Sequence, residues 1–375
     1  MKNLDAVIAG GGLIGASIAL ELASAGMKVG LCDAQEPGRE ASWASAGMIS
    51  PAPENAGMLP FMPMSLASVA LYPEFIKKVE ELSGRDAGYR QDGALDAILT
   101  GDVQEELSTI IALQHGVGLR AEALSAEQAR EMEPSMTEEI KAAIYRPDEA
   151  SLDTRAFTEA VLEAARRKGV EIVAGNGAKA LWKEDTQCKG LVLEHGSVEA
   201  KWTIIAAGCF SARIEGVAPY APVFPAKGQM IGLRCESVKI QHVLWSDHTY
   251  LVPRNDGRII AGSTIERTGF AHDVTAGGMR KILSEALELV PGLEKARIEE
   301  TWAGLRPDSP DHLPIIGPTD LEGLLMATGH FRSGILLAPI TARLIREWVV
   351  SQEVSVDWER FSPMRFIEAQ KSQRA

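Results

Sequence analysis

The start of the chain allows few folds. Ala6–Ala9 is a short apolar run, and Gly10, Gly12 and Gly15 follow in G-x-G-x-x-G order. Apolar residues at helical spacing continue through Ile18, Leu20 and Leu22. A second strand is expected over Lys28–Cys32, ending on Asp33, 18 positions after the last glycine (33 − 15 = 18). Each part has a mechanical reason. The first glycine makes the turn, the second lets backbone approach a pyrophosphate, and the third lets helix and strand pack closely. The helix N-terminus faces the phosphates, and the acid accepts hydrogen bonds from a ribose. A glycine triplet alone also fits an ordinary turn. With strand, helix, second strand and acid in register, the segment reads as a dinucleotide site.

Near the other end, Trp302–Gly317 reads WAGLRPDSPDHLPIIG and Gly329–Pro339 reads GHFRSGILLAP. Arg306 lies between Leu305 and Pro307, and Arg332 between Phe331 and Ser333. An arginine among apolar neighbours needs a partner, because an unpaired buried charge is costly. A planar guanidinium matches a carboxylate in bidentate geometry. That carboxylate is either an internal Asp or Glu or one carried by a substrate. The dinucleotide site at the N-terminus favours the substrate.

Composition narrows the partners. A 375-residue chain suggests two domains, and 46% hydrophobic with 24% charged residues is ordinary for a globular enzyme. The net charge of −13 and the lack of a basic run disfavour nucleic acid and anionic membranes. The longest apolar run, Ala6–Leu20, is short and Gly-rich for a membrane span, and Asp5 and Glu21 flank it unlike a signal peptide. Cys32, Cys188, Cys209 and Cys235 are scattered and read as reduced, mostly buried thiols in a cytoplasmic protein. No metal set is spelled by Cys or His spacing.

The organisation is discontinuous. Gly38–Gly57 is a small-residued, apolar loop where backbone is expected to approach a large ligand. Helices are expected near Ser65–Leu82, Val103–Gln114, Ala126–Glu133 and Ala276–Val290, with strands in Gly88–Thr100 and Lys201–Gly208. Ser151–Gly175 reads as a further helix–strand unit, and Pro222–Thr264 is strand-rich. Pieces of a nucleotide domain thus alternate with inserts, which suggests a long cofactor lying across a domain junction.

These motifs, with SWASAGM, TIIAAGCFS, PVFPAKGQM and SDHTYLVPR, resemble the flavin-dependent amine and D-amino-acid oxidases over nearly the whole chain. Among them the chain is most similar to the glycine oxidases associated with thiamin biosynthesis. The resemblance implies an α/β plus α+β fold. Residues 1–86, 146–219 and 300–375 would form a Rossmann-type, glutathione-reductase-like FAD-binding domain. Residues 87–145 and 220–299 would form an interleaved antiparallel-sheet substrate domain.

Carried over to this chain, the resemblance places Gly10, Gly12, Leu13, Ile14 and Gly15 against the FAD pyrophosphate and Asp33 and Ala34 at the adenosine ribose. Ala41, Ser42, Ala46, Gly47 and Met48 pass along the flavin, and Ala178 and Gly208 also touch the cofactor. His330, Phe331, Arg332, Ser333, Gly334, Ile335 and Leu336 run beside the isoalloxazine. Arg306 holds the substrate carboxylate, helped by Tyr250 and Arg332, with His248 and Ile265 lining the pocket. For Tyr250, core packing on its strand is the competing role. His312 and His330 lie in the matched motifs, whereas His115, His195, His242 and His272 are expected at the surface.

The implied reaction passes hydride from the Cα of a neutral α-amino acid to flavin N5, and water then hydrolyses the imine. Orientation is the main requirement, and no side chain in these motifs is needed as a general base. Three large side chains around one carboxylate leave room for glycine, sarcosine or D-alanine. In sarcosine oxidase relatives a cysteine in the segment matching Trp302–Arg306 tethers the flavin. No cysteine stands there in this chain, so noncovalent FAD is expected. Ile265 and Trp43 depart from the family pattern and bear on the preferred amine. The expected partners are a small amino acid and O2, with no nucleic acid and no membrane, and a homo-oligomer (dimer or tetramer) is compatible. A D-amino-acid dehydrogenase passing electrons to a quinone or other acceptor, a sarcosine-oxidase-like enzyme, and a non-catalytic flavoprotein subunit are the alternatives.

Overall fold

A computed structural model describes residues 3–53, 56–101 and 103–374. Glu54 and Asn55, within the expected ligand-facing loop Gly38–Gly57, lie outside the described residues.

Two sheets organise the chain. In the first, Leu4–Ala9 is central and runs parallel to both Val29–Cys32 and Ser197–Ile205. The main path of this eight-stranded sheet is Ile315–Pro318, Leu324–Thr328, Ser197–Ile205, Leu4–Ala9, Val29–Cys32 and Glu171–Val173. The central strands are apolar at nearly every position because both faces are covered. Helices Leu13–Ser24, Met62–Ser83, Thr154–Arg167 and Ala338–Ser351 pack against one another on one side. A hairpin of Ala178–Glu184 and Gln187–Leu193 extends from Ser197–Ile205, and its apolar residues cover Val7, Ala9 and Ile205 on the other side.

The helices end where their sequences say they should. Asp153 caps Thr154–Arg167 by accepting from the amides of Arg155 and Ala156, and Arg166 and Arg167 sit at its negative end. Helix Leu13–Ser24 is buried on almost every side, so its period is hard to see in sequence. The helical stretch Gly57–Ser83, in which a 3-10 turn runs into helix Met62–Ser83, is long and apolar enough to cross a membrane, but 44% of an apolar 18-residue stretch within it is buried inside the protein. Tyr72 is fully buried and donates to the Ile335 carbonyl, as expected of a core helix.

The second sheet has the order Arg297–Asp308, Phe224–Arg234, Arg258–Gly262, Tyr250–Pro253, Val243–Trp245, Ala94–Ile98, Ala142–Arg146 and Glu122–Ser125. Every junction is antiparallel except one, where Val243–Trp245 lies parallel to Ala94–Ile98 and joins the two inserts. Ile231, Leu251, Ile259 and Ala261 cover one face with helix Ala276–Leu289. The return to the first unit, expected at residue 300, comes later. Arg297–Asp308 pairs along its length with Phe224–Arg234, so Arg306 belongs to the second sheet. Gly88–Thr100, expected as strands, holds one named strand, Ala94–Ile98.

Candidate active site

The uncovered face of the second sheet looks onto the C-terminal ends of the first sheet's parallel strands. Between them lies a cavity of about 1400 Å³. This exceeds the roughly 300–1,000 Å³ of a site for one drug-sized ligand, as a dinucleotide plus substrate requires. Asp33, Ala34 and Ala178 line it, as do Gly208, His330, Arg306 and Tyr250.

The nucleotide side is built by close backbone approach. Gly10 has φ +105°, and a Cβ there would stand 2.4 Å from the Ala206 carbonyl oxygen. A Cβ on Gly15 would stand 2.0 Å from the Gly10 oxygen, so Gly15 packs helix on strand instead of lining the cavity. Gly12 is the open one, with only Ser42 Oγ at 3.3 Å from its Cβ position. Asp33 fixes the turn by accepting from the Gly11 amide (2.7 Å) and the Gln35 amide (2.9 Å). The Leu13 amide donates to Ser42 Oγ at 2.9 Å, tying the helix start to the next loop. Strand ends, a helix N-terminus and an acid thus surround the volume in which a pyrophosphate and ribose fit.

The loop Ala41–Met48 is held from behind. Trp302 Nε1 donates to the Ala44 carbonyl (3.0 Å), Thr154 Oγ1 to that of Ser45 (2.9 Å) and Arg254 to that of Ala46 (2.6 Å). Arg254 is buried, and desolvation pulls its guanidinium down to about 10, opposed by Asp153. Gly304 admits the loop: a Cβ there would lie 2.3 Å from that of Ala44. Ala41, Ser42, Ala46 and Met48 line the cavity, but Gly47 (φ +80°) does not, since its Cβ position abuts the Leu152 oxygen at 2.1 Å. Trp43 also departs from expectation. Its ring stacks on the Arg155 guanidinium (3.6 Å to the centroid) and does not line the cavity.

Beside the nucleotide region, His330 to Leu336 all line the cavity. Phe331 takes φ +46°, a conformation costly for a bulky side chain, held in part by its amide donating to the Pro307 oxygen at 2.8 Å. His330 is buried with Nε2 3.1 Å from Thr341 Oγ1, and desolvation pushes its imidazole down to about 3. Its folded value lies below the unfolded one, so its stabilising contribution is complete above pH ~6.5 and is lost as pH falls from there toward 3. Denaturant melts at pH 7.5 and 5.5 should show a smaller loss on acidification for His330→Asn than for the parent; equal losses would exclude His330 as a source of acid sensitivity.

On the second sheet, alternate residues of adjacent strands bring Arg306, Gly304, Gly228, Met230, Tyr250 and Trp245 to the cavity. Arg306 donates to Ser263 Oγ (2.7 Å) and to the Thr264 carbonyl (3.2 Å), both neutral. Among the described residues it forms no ion pair. Its guanidinium lies across Gly228: a Cβ there would stand 2.1 Å from Nη1. Sequence reading passed over Gly228, Ser263 and Thr264. The glycine inside the strand PAKGQM was the available signal, since such a glycine often marks a close approach.

Tyr250 is half-buried, its ring 5.4 Å from that of Trp245 and its hydroxyl 3.3 Å from Met230 Sδ. It therefore both packs and lines the site. Arg332 lines the cavity too but is exposed, its Cζ 5.7 Å from the Phe331 ring centroid, and is not enclosed by its apolar sequence neighbours. His248 is exposed in the bend before the strand of Tyr250 and reaches the cavity. Ile265 is 47% exposed at the rim. His242, expected at the surface, is buried, with Nδ1 2.8 Å from the buried carboxylate of Glu133. The four cysteines are free thiols, and none stands in Trp302–Arg306.

Comparisons with known proteins agree with this construction. The family model for FAD dependent oxidoreductases (DAO) matches residues 5–348. The chain is 31% identical to a glycine oxidase of Geobacillus kaustophilus, covering 97% of both chains. The crystal structure of glycine oxidase from Geobacillus kaustophilus superposes with a TM-score of 0.92 over 97% of this chain and 99% of that one, at 30% identity. The chain is also 34% identical, over 97% of its length, to the bifunctional protein ThiO/ThiG of Synechocystis sp., of which it spans 54%. It covers about half of two further bifunctional ThiO/ThiG relatives as well. With the fold, the glycine turn and the family match in agreement, the chain belongs to the FAD-dependent oxidoreductases: it is an enzyme, and FAD is its cofactor.

Proposed function

We propose that this enzyme oxidatively deaminates glycine and other small amines or D-amino acids, giving from glycine glyoxylate, ammonia and hydrogen peroxide. The observation that carries this reading is Arg306. It is a guanidinium on the cavity wall that, among the described residues, has two neutral hydrogen-bond partners and no carboxylate partner, in the same cavity as the nucleotide turn. A substrate carboxylate completes its valence as a charge-assisted pair. Arg306 thereby sets the orientation of the Cα–H, and Tyr250, Trp245 and Met230 wall the space beside it. FAD, which the turn at Gly10, Gly12 and Leu13 and the acid Asp33 would hold, would supply the acceptor for the hydride and the route for its electrons to oxygen. The glycine oxidases among its relatives support the substrate class by name. Arg332 and His248 are proposed as rim contacts and Ile265 as a limit on substrate bulk. Supply of the imine for thiamin thiazole synthesis is a proposal supported by the ThiO/ThiG relatives alone.

The test is oxygen consumption with coupled peroxide detection, comparing glycine, sarcosine and D-alanine with bulky D-amino acids and L-alanine. Turnover of the small set with peroxide release is expected, and rates should rise with pH as the substrate amine loses its proton. Flavin reduction by glycine without peroxide in air would instead show a dehydrogenase. A preference for D-phenylalanine would overturn the small-substrate reading.

Two further outcomes are expected. Acid precipitation of the yellow protein should leave the flavin in the supernatant, since Trp302–Arg306 has no cysteine; colour kept in the pellet would contradict this. Gly228→Ala should fold and hold FAD while displacing the Arg306 guanidinium, because the far end of a flexible side chain gives way first. A shift of about 1 Å at such a contact costs up to about 100-fold, here mostly as a higher KM for glycine. An unchanged KM would show that Arg306 has no fixed seat on Gly228.

A further inference from the structure

Arg254 is a buried cation that the reaction proposed above does not use, and it stands directly behind the loop Ala41–Met48. Ser42 of that loop is tied to the Leu13 amide at the nucleotide turn, and Ala44 meets Gly304, two residues before Arg306. A cofactor reaching from the turn toward Arg306 therefore passes along the loop. The carbonyls of Trp43, Ala44, Ser45 and Ala46 accept from Arg155 (3.4 Å), Trp302, Thr154 and Arg254, and that of Gly47 from the Leu152 amide (2.9 Å). None of these donor residues lines the cavity, whereas Ala44, Ser45 and Ala46 do. The carbonyls are thus drawn away from the cofactor space. In a trans peptide the N–H points opposite to the C=O, so the N–H ends of these peptides turn toward that space. The Ala46 amide has no acceptor among the described residues.

Charge accompanies the dipoles. Asp153, the acid paired with Arg254, has its Oδ2 4.0 Å from Arg254 Nε but 2.9 Å from Arg258, while its Oδ1 caps helix Thr154–Arg167. Asp256 also pairs with Arg258 (2.7 Å), and Glu300 pairs with Arg155 (2.7 Å). Each of these acids is held more closely by another cation. Arg254 Nη1 is buried with no hydrogen-bond partner among the described residues, and Nη2 meets the Ala46 carbonyl at 2.6 Å. A charge at that depth acts across several ångströms, because little water screens it.

We propose that Arg254 is a positioning residue for electron acceptance: acting through the Ala46 peptide, its charge and the loop's N–H groups make the FAD easier to reduce. Reduction places two electrons on the cofactor, and a positive potential at one wall of the cavity stabilises the added negative charge. The inference rests on FAD binding and on the course of the loop, and not on which amine is oxidised.

The test is the two-electron midpoint potential of holoenzyme without amine substrate, from reductive titration against a reference dye, beside the affinity for FAD. Arg254→Met should make the reduction equilibrium at least about tenfold less favourable, a fall of about 30 mV. Asp153→Asn removes the opposing charge and keeps a capping side chain, so it should shift the equilibrium at least about threefold the other way. Thr154→Val removes the neutral donor behind Ser45 and should stay within about threefold of the parent. A loss of loop packing alone would not move Arg254→Met and Asp153→Asn in opposite directions. A change below about threefold in Arg254→Met, or an equal fall in Thr154→Val, overturns the proposal. Should Arg254→Met fail to hold flavin, Asp153→Asn decides, and an unchanged or lowered potential there overturns it.

Discussion

Arg306→Ala is expected to keep its FAD and lose most of its activity toward glycine. Truncating one partner of a buried, charge-assisted pair costs about 2–5 kcal/mol, or roughly 30-fold to several-thousand-fold in kcat/KM. Ser263 Oγ and the Thr264 carbonyl lose one hydrogen bond each at the wall of an open cavity, so the fold is spared. Arg306→Lys should recover part of the loss, since a point charge reaches the same region without the planar fork. Steady-state kinetics beside a visible spectrum of each variant checks this. Near-normal turnover by the alanine variant would mean that another group, Arg332 foremost, holds the substrate.

The second large effect is expected at the glycine turn, where the three glycines should fail in different ways. Gly12→Val should give soluble, colourless protein. Gly12 has φ −68° at the helix N-cap, a conformation valine can adopt, and only Ser42 Oγ stands near its Cβ. The added side chain would occupy the volume where the pyrophosphate fits. Gly15→Val should instead fail to fold, because its Cβ would meet the Gly10 oxygen at 2.0 Å, inside the packing of helix on strand. The ratio of absorbance near 450 nm to that at 280 nm, with the melting temperature, separates the cases. A yellow Gly12→Val protein would place the cofactor elsewhere.

The contrast between those glycines shows what was legible. The turn, its helix and the acid at Asp33 could be read from order and spacing, because each is a local requirement of backbone geometry. The helices at Thr154–Arg167 and Ala276–Leu289 were equally legible, since a capping residue and an apolar face are written in consecutive residues. Arg306 was marked by its apolar neighbours. Arg332 was marked by the same sign and lies exposed, because neighbours in sequence do not say which side of a loop faces water.

Long-range pairing decided the rest. The domain bounds implied by the resemblance put Arg306 in the nucleotide unit; the register of Arg297–Asp308 against Phe224–Arg234 carries it to the second sheet and lays it across Gly228. Trp43 was expected to bear on substrate choice, but contact with Arg155, 112 positions away, turns it from the cavity. His242 was expected at the surface and is buried because Glu133, 109 positions away, accepts its hydrogen bonds. The sequence by itself determined a dinucleotide turn, a discontinuous order of nucleotide-domain pieces and inserts, and a candidate carboxylate anchor, since these follow from local backbone needs and periodicity. Only the tertiary structure decided which cation holds which acid, because charge pairing depends on distance in space, and no spacing rule encodes the meeting of Lys227 with Glu266 or of Arg267 with Asp308.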